Sequence, residues 1–340
     1  MPVSRAYVAK RLAMLFMVVV GVLIITFVIT RIIPARPELL WAGSHPTEEQ
    51  IEKARRELRL DEPIHVQLYY YLKDFFTGDW GVSWRTRQPV LQDILDSLPA
   101  TLELVMAAFS IAVLLGIPLG VLAAVRYGRL SDGIVRVFSV LGASAPVFWI
   151  ALITQLVFSS WLGLLPGAKR VDESVVIETG FREITGFMLL DSLIQLNLAV
   201  FSDALKHLVL PAFVLSLYPL GLTARMTRAL MIEALNEFHS TTLQVWGLPR
   251  RLVVYKYALK NVVAPVIASL GLSFGYTIIG AFMVELVFVW PGIGLYAALA
   301  LLSFDYPAVI GCVVVVAIIY SVVNMVVDII HASLDPRVRL

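Results

Sequence analysis

Long apolar runs without charge alternate with shorter polar segments along this chain. The first extends from Leu12 to Thr30, behind the basic Arg5, Lys10 and Arg11. The others lie between Glu103 and Arg126, Arg136 and Lys169, Lys206 and Arg225, Lys260 and Glu285, and Asp305 and Asp328. A helix needs about 20 apolar residues to cross the hydrocarbon core of a bilayer, so the pattern predicts an all-α membrane protein with six transmembrane helices. The first run is longer than the apolar region of a secretory signal. It leaves through Arg31-Ile32-Ile33-Pro34 rather than a small-residue cleavage site, which predicts a retained span.

Composition agrees with the pattern. The 340 residues are 59% hydrophobic and 15% charged, with mean hydropathy +0.83. Soluble domains are about 45–50% apolar and about 25% charged. A net charge of +2, spread along the chain, offers no nucleic-acid surface. The single cysteine, Cys312, sits inside an apolar run and reads as packing.

Charge then orients the spans. Arg5, Lys10 and Arg11 precede the first, and Arg126, Arg129 and Arg136 separate the second from the third. Arg225, Arg228, Arg250, Arg251, Lys256 and Lys260 lie between the fourth and fifth, and Arg337 and Arg339 follow the sixth. All fall on one side if both termini are cytoplasmic, as the positive-inside rule requires. The expected organisation is residues 1–33 for the N-terminus and first helix, an extracytoplasmic subdomain over 34–98, and a core over 99–340. That core carries an outer loop at 164–206 and a cytoplasmic helix at about 233–249. In the subdomain, Thr47 with Gln50 has the pattern of a capping box, and Ile51, Ala54 and Leu58 follow at helical spacing. The outer loop holds the amphipathic stretch MLLDSLIQLNLAVFSDALKHL.

The stretch EALNEFHSTTLQVWGLPRR, between two apolar runs, raises the question of function. Placed on a helix, Phe238, Thr241, Thr242, Val245 and Trp246 share one face, and Asn236, Glu237, His239, Ser240 and Gln244 the other. Gly247 suits a left-handed helix end, and Pro249 stops continuation. Helices that lie on lipid favour Lys and Arg on the polar face, and this one has none before Arg250. The pattern favours a helix docked in a groove of a protein partner. Arg250, Arg251, Lys256 and Lys260 either anchor the inner membrane face or carry motion into the fifth span.

Other polar and aromatic positions are candidates for a path or gate. Glu285 lies near the outer end of the fifth span. It either serves a gate or caps the helix-breaking Trp290-Pro291-Gly292-Ile293-Gly294. Non-helical backbone at that depth must be buried or line a cavity, so the turn is a candidate wall of the path. Pro146, with Phe148 and Trp149, is expected to kink the third span, facing either a pore or an aromatic core. Asn324, Asp328 and His331 form a polar stripe on the sixth. The subdomain either seals the outer mouth or, through Asp74, Asp79 and Trp80, receives an external protein. No GxxxxGK[ST] loop occurs to cradle ATP, and no HExxH metal motif appears, so no metal site is expected.

Several stretches, in order, resemble the permease subunits of ABC importers. Gly247 and Pro265 stand at the glycine and proline of that family's EAA loop, with Thr241, Thr242 and Leu243 at the triplet and Trp246 where a basic residue is usual. GDWGVSW with Pro89-Val90, LPATLEL (98–104), IPLGVLAA (117–124), Pro146-Val147-Phe148-Trp149, HLVLPA (207–212), VELVFVWPGIG (284–294), Asp305-Tyr306-Pro307 and LDPRVR (334–339) are similar to the dipeptide/oligopeptide/nickel branch. The resemblance covers nearly the whole chain. It implies a type I importer permease fold of the first-permease (B-type) branch in the plasma or inner membrane, its subdomain forming a scoop-like element beside the path. It implies as partners a second permease, two ATPase subunits that bind ATP and Mg, an external substrate-binding protein and membrane lipid, with no cofactor bound by this chain. Peptides are the expected cargo, with oligosaccharides and nickel handled by close relatives. A self-contained secondary transporter is the competing class, and the scarcity of mid-span charge counts against it.

Overall fold

The structure is a computed structural model of the chain and describes residues 5–32, 36–42 and 46–334. Its elements run α1 (Arg5–Phe27), α2 (Pro37–Ala42), α3 (Glu48–Glu57), α4 (Ile64–Thr77), α5 (Val90–Val125), α6 (Leu130–Ser144) and α7 (Val147–Thr154). There follow α8 (Glu173–Thr179), α9 (Met188–Ile194), α10 (Leu198–Asn236), α11 (Phe238–Val245) and α12 (Arg250–Leu252). The chain closes with α13 (Leu259–Val287), α14 (Ile293–Leu302) and α15 (Tyr306–Leu334). Wider π-helical turns extend α1 and α7 and join α12 to α13. Among the described residues, extended pairing is confined to one bridge between Val82 and Pro89.

Five helices, or six if the bent pair α6–α7 counts as one, are long and apolar enough to span a membrane. The expected six runs therefore lie on helices, but the helices are longer than the runs. α10 has 39 residues, about 58 Å at 1.5 Å per residue, against roughly 30 Å of hydrocarbon. Charge marks where a helix leaves lipid, not where it ends. Helices therefore run across three of the expected boundaries. α5 already begins at Val90, inside the expected 34–98 subdomain. α10 begins at Leu198, within the expected 164–206 loop, because Asn197 caps it by accepting the Val200 N–H at 3.2 Å. It ends at Asn236, so 233–236 belong to the span rather than to the short polar helix. The amphipathic stretch from Met188 is likewise two helices, parted where Leu196 takes φ +52°.

The third span is broken rather than kinked: α6 and α7 meet at 106°. Ala145 precedes a proline and is extended (φ −78°, ψ 138°), the conformation that the proline ring forces on its neighbour. Pro146 has no N–H to continue the ladder, and α7 starts anew behind it.

The chain packs as two units, one of residues 5–96 and 296–322, the other of 97–295 continuing from 323. In the first, Val19 and Leu23 of α1 pack with Val314 of α15 and with Tyr71, Leu72 and Phe75 of α4. Thr47 and Gln50 form the expected capping box on α3. The loop before α5 is pinned by the fully buried Asp305, which accepts the Ser83 hydroxyl at 2.5 Å and the Arg85 N–H at 3.2 Å.

In the second unit α10 packs along α13 and α6. The backbones of α5 and α10 approach closely because a Cβ at Gly116 or Gly120 would collide with Thr223 or Thr227, the small-residue packing by which membrane helices associate. Toward the end of α10, Val121, Met231, Ala234, Val254, Ala258 and Val262 form one buried cluster under α11 and α12.

Candidate functional site

Glu237 is extended (φ −66°, ψ 153°) and turns the chain from α10 into α11. Buried Ser240 donates its hydroxyl to the Ala234 carbonyl at 2.6 Å, tying the short helix to the end of the long one. Thr241 and Thr242 turn their hydroxyls back onto the Phe238 carbonyl, each at 2.8 Å. Gly247 takes φ +81°, the left-handed conformation that lets the Leu248 N–H reach the Leu243 carbonyl at 3.2 Å. Pro249 then opens α12.

The outcome is an eight-residue helix whose apolar face has no cover among the described residues. Phe238 is 87% exposed, Val245 85% and Trp246 75%. Thr241, Arg250 and Arg251 are exposed beside them, and Thr242 is half-buried. A face of large aromatics turned away from its own core needs an occupant.

At the far end of α13, Glu285 is fully buried. It accepts the Thr101 hydroxyl at 2.7 Å, the Gly294 N–H at 2.7 Å and the Leu295 N–H at 3.2 Å. Trp290, also buried, donates its indole N–H to the Ala100 carbonyl at 2.9 Å. A side chain at Gly292 would collide with Glu285 and Thr101, and one at Gly294 with the Phe282 backbone. Pro291 is exposed. The carboxylate thus caps the broken backbone, and the turn is clamped to α5.

Two further residues, which the sequence does not bring together, extend this clamp. Arg170 pairs with Glu103 at 2.5 Å, both side chains 6–7% exposed. Glu103 also accepts the Leu189 N–H at 2.8 Å, and Arg170 donates to the Gly186 carbonyl at 2.9 Å. The guanidinium lies over the Trp290 ring, 5.7 Å from its centroid. One ion pair therefore holds the outer loop, the first half of α5 and the turn after α13. The only signal in the sequence is Glu103 at the edge of a charge-free run.

Pro146, Phe148 and Trp149 stand at the α6–α7 break, all exposed. Val147 there lies against Gly280 of α13: a Cβ on that glycine would be 3.8 Å from it and 3.3 Å from Leu215 of α10.

In the first unit, Asp74, Asp79 and Trp80 line one cleft of about 740 Å³ with Arg31, Trp41 and Trp84. Gly78, at φ +87°, turns the chain so that the Asp79 N–H meets the Asp74 carbonyl at 2.9 Å. Trp80 stacks on Phe75 at 4.6 Å and donates to its carbonyl at 3.1 Å. Arg31 donates to the Leu58 carbonyl at 3.0 Å beneath the rings of Phe27 and Tyr71. Burial pushes the Tyr71 phenol above its ordinary range. Asn324 and Asp328 are half-buried on α15, and the side chain of His331 lies outside the described residues. Among the described residues no cluster of His, Cys, Asp and Glu could hold a metal.

The chain has counterparts among known proteins over nearly its whole length. The family described as binding-protein-dependent transport system inner membrane component matches residues 116–340. This chain belongs to that family. The N-terminal membrane-component family of the same transport systems matches residues 5–105 of the permease. A probable D,D-dipeptide transport system permease protein, DdpB of Escherichia coli strain K12, is 43% identical to the permease over 95% of this chain and 94% of its own length. The di/tripeptide permease DppB of Pseudomonas aeruginosa strain UCBPP-PA14 is 38% identical over 98% of each chain. The dipeptide permease DppB of Alkalihalophilus pseudofirmus is 35% identical over 98% of this chain and 99% of its own. The permease is therefore a multi-pass inner-membrane subunit of an ABC importer, a role that implies ATPase and substrate-binding-protein partners.

Proposed function

We propose that the permease lines the solute path of an ATP-driven importer of di- or oligopeptides. It pairs with a second permease and is driven by two ATPase subunits that hold ATP and Mg. On the cargo side, the reading is supported by full-length relatives named for dipeptide and di/tripeptide transport. One structural observation carries the mechanical side: Phe238, Val245 and Trp246 are exposed together on a short helix fixed to the end of α10.

In this reading both termini and α11 face the cytoplasm, in keeping with the basic residues around them. ATPase closure grips the face of Phe238, Thr241, Thr242, Val245 and Trp246. Gly247 keeps the linker short, and Arg250 and Arg251 lead the displacement into α13. Pro146, Phe148 and Trp149 border the path. Glu285, Trp290, Pro291, Gly292 and Gly294 form its rigid outer shoulder. The external binding protein settles on the cleft of Asp74, Asp79 and Trp80, where aromatic walls and fixed charges offer both contact area and orientation.

Reconstitution of the permease with its second permease, the ATPases and the binding protein tests this. ATP-dependent uptake of labelled di- or tripeptide, requiring every component, is the expected result. Uptake by this chain alone in pure liposomes would establish a secondary transporter. Uptake of oligosaccharide or nickel but not peptide would refute the cargo.

A further inference from the structure

Hydroxyls in the membrane helices of the second unit are mostly turned back on their own backbone. Ser216 donates to the Phe213 carbonyl at 2.7 Å, Ser273 to that of Leu270 at 2.7 Å and Thr277 to that of Ser273 at 3.0 Å. Two tyrosines in the same helices cannot do this, because a phenol is carried too far from its own turn. Tyr218 lies at the centre of the 39-residue α10. Tyr276 lies nine residues before Glu285 on α13, about 13 Å inward along the helix at 1.5 Å per residue.

The two rings pack together, centroids 5.5 Å apart and planes at 42°. Tyr276 is 66% exposed, and neither phenol finds a hydrogen-bond partner among the described residues. A phenol O–H held unpaired against lipid tails is unfavourable. This face therefore meets something other than hydrocarbon.

A second observation points to the same place. A Cβ on Gly280, one turn after Tyr276, would touch both Val147 and Leu215, the latter one turn before Tyr218. Val147 begins α7 at the 106° break, and irregular backbone at membrane depth is tolerated only where protein buries it or water reaches it. Phe148 and Trp149 are about half-exposed there, at 48% and 54%. The tyrosine pair and the start of α7 thus lie within about one helical turn of Gly280, and none of the residues named there carries a charge. Such a surface suits water and peptides with varied side chains better than a seam of fixed, matched partners.

We infer that Tyr276 and Tyr218, next to the α6–α7 break, line the solute path and offer passing peptides an uncharged aromatic and hydrogen-bonding wall. The inference rests on the peptide-importer reading above. Their phenols donate to or accept from peptide amides, while the ring faces tolerate any side chain. The tyrosines thereby set how readily a peptide passes, after the binding protein has selected it.

The single native cysteine makes the test direct. In the complete reconstituted importer, with Cys312→Ala as background, Tyr276→Cys is treated with a membrane-impermeant thiol reagent. Labelling that slows when transported dipeptide is present supports the inference. Absence of labelling, or labelling only by a lipid-soluble reagent, would place Tyr276 under the second permease or in lipid and overturn it. So would labelling that excess peptide does not slow. Tyr276→Phe keeps the ring and covers the case in which the cysteine variant does not assemble. Reduced peptide flux per assembled importer is expected, and unchanged flux would count against the wall. Failure of the parent importer to take up any peptide would instead overturn the underlying reading, whatever the labelling shows.

Discussion

Glu285 and Gly294 stand nine residues apart and meet across the turn after α13, the carboxylate accepting the glycine N–H at 2.7 Å. Thr101 and Leu295 supply the other donors, at 2.7 and 3.2 Å. A carboxylate with no exposure, satisfied on both oxygens, is a brace. Glu285→Ala strands three donors, one buried and two half-buried, and should cost about 3 kcal/mol, read as a lowered melting temperature of the purified importer. Glu285→Gln retains an acceptor oxygen and should cost less. Equal losses for the two variants would argue against the brace.

Asp132, 1% exposed, accepts two bonds from Arg228, at 2.5 and 2.9 Å, joining the start of α6 to α10. Removing one partner leaves a buried charge alone. Arg228→Ala, which strands the buried Asp132 carboxylate, should therefore destabilise the importer by about 3–5 kcal/mol. Removing both should cost less than the sum of the single changes, which a double-mutant cycle of thermal melts would reveal.

A Cβ added at Gly247 would meet no atom within 4 Å, yet the residue's φ is +81°. Its requirement is conformational, not steric. Gly247→Val should cost roughly 1–2 kcal/mol through the left-handed backbone, whereas Gly247→Asn should be tolerated. The check is ATP consumed per peptide transported: the valine variant should waste ATP and the asparagine variant should not.

Asp191 organises the outer loop. Burial pushes its carboxyl up, but the Thr185 hydroxyl and the N–H groups of Ile184, Thr185 and Gly186 outweigh this and hold it below the ordinary range. A depressed carboxyl adds stability that is fully present above the unfolded value, about 3.9. That stability is lost as pH falls through the lower folded value. The stability gap between the parent and Asp191→Asn should thus be full at neutral pH and narrow below about pH 4. A gap independent of pH would mean the charge is immaterial.

Charge placement makes the spans legible in the sequence, and helical spacing with Gly247 and Pro249 makes the exposed face of α11 legible. Helix ends are not, because polar residues such as Ser202, Asp203 and Lys206 continue a helix that nothing there interrupts. The break at Ala145–Pro146 looks like a kink in sequence, since a proline signals lost hydrogen bonds but not the angle. Glu103 with Arg170 is invisible there: partners 67 residues apart leave no periodic trace. Tyr218 and Tyr276 are hidden for another reason. An aromatic inside an apolar run looks like core until the fold shows its hydroxyl without a hydrogen-bond partner among the described residues.

The most direct measurement is the coupling of ATP hydrolysis to peptide uptake in the reconstituted importer carrying Phe238→Asp or Trp246→Asp. The two side chains are exposed at 87% and 75%, so the permease itself should fold. Hydrolysis continuing while uptake collapses is the expected outcome. Uptake per ATP equal to that of the parent would contradict the claim that the importer is driven through α11.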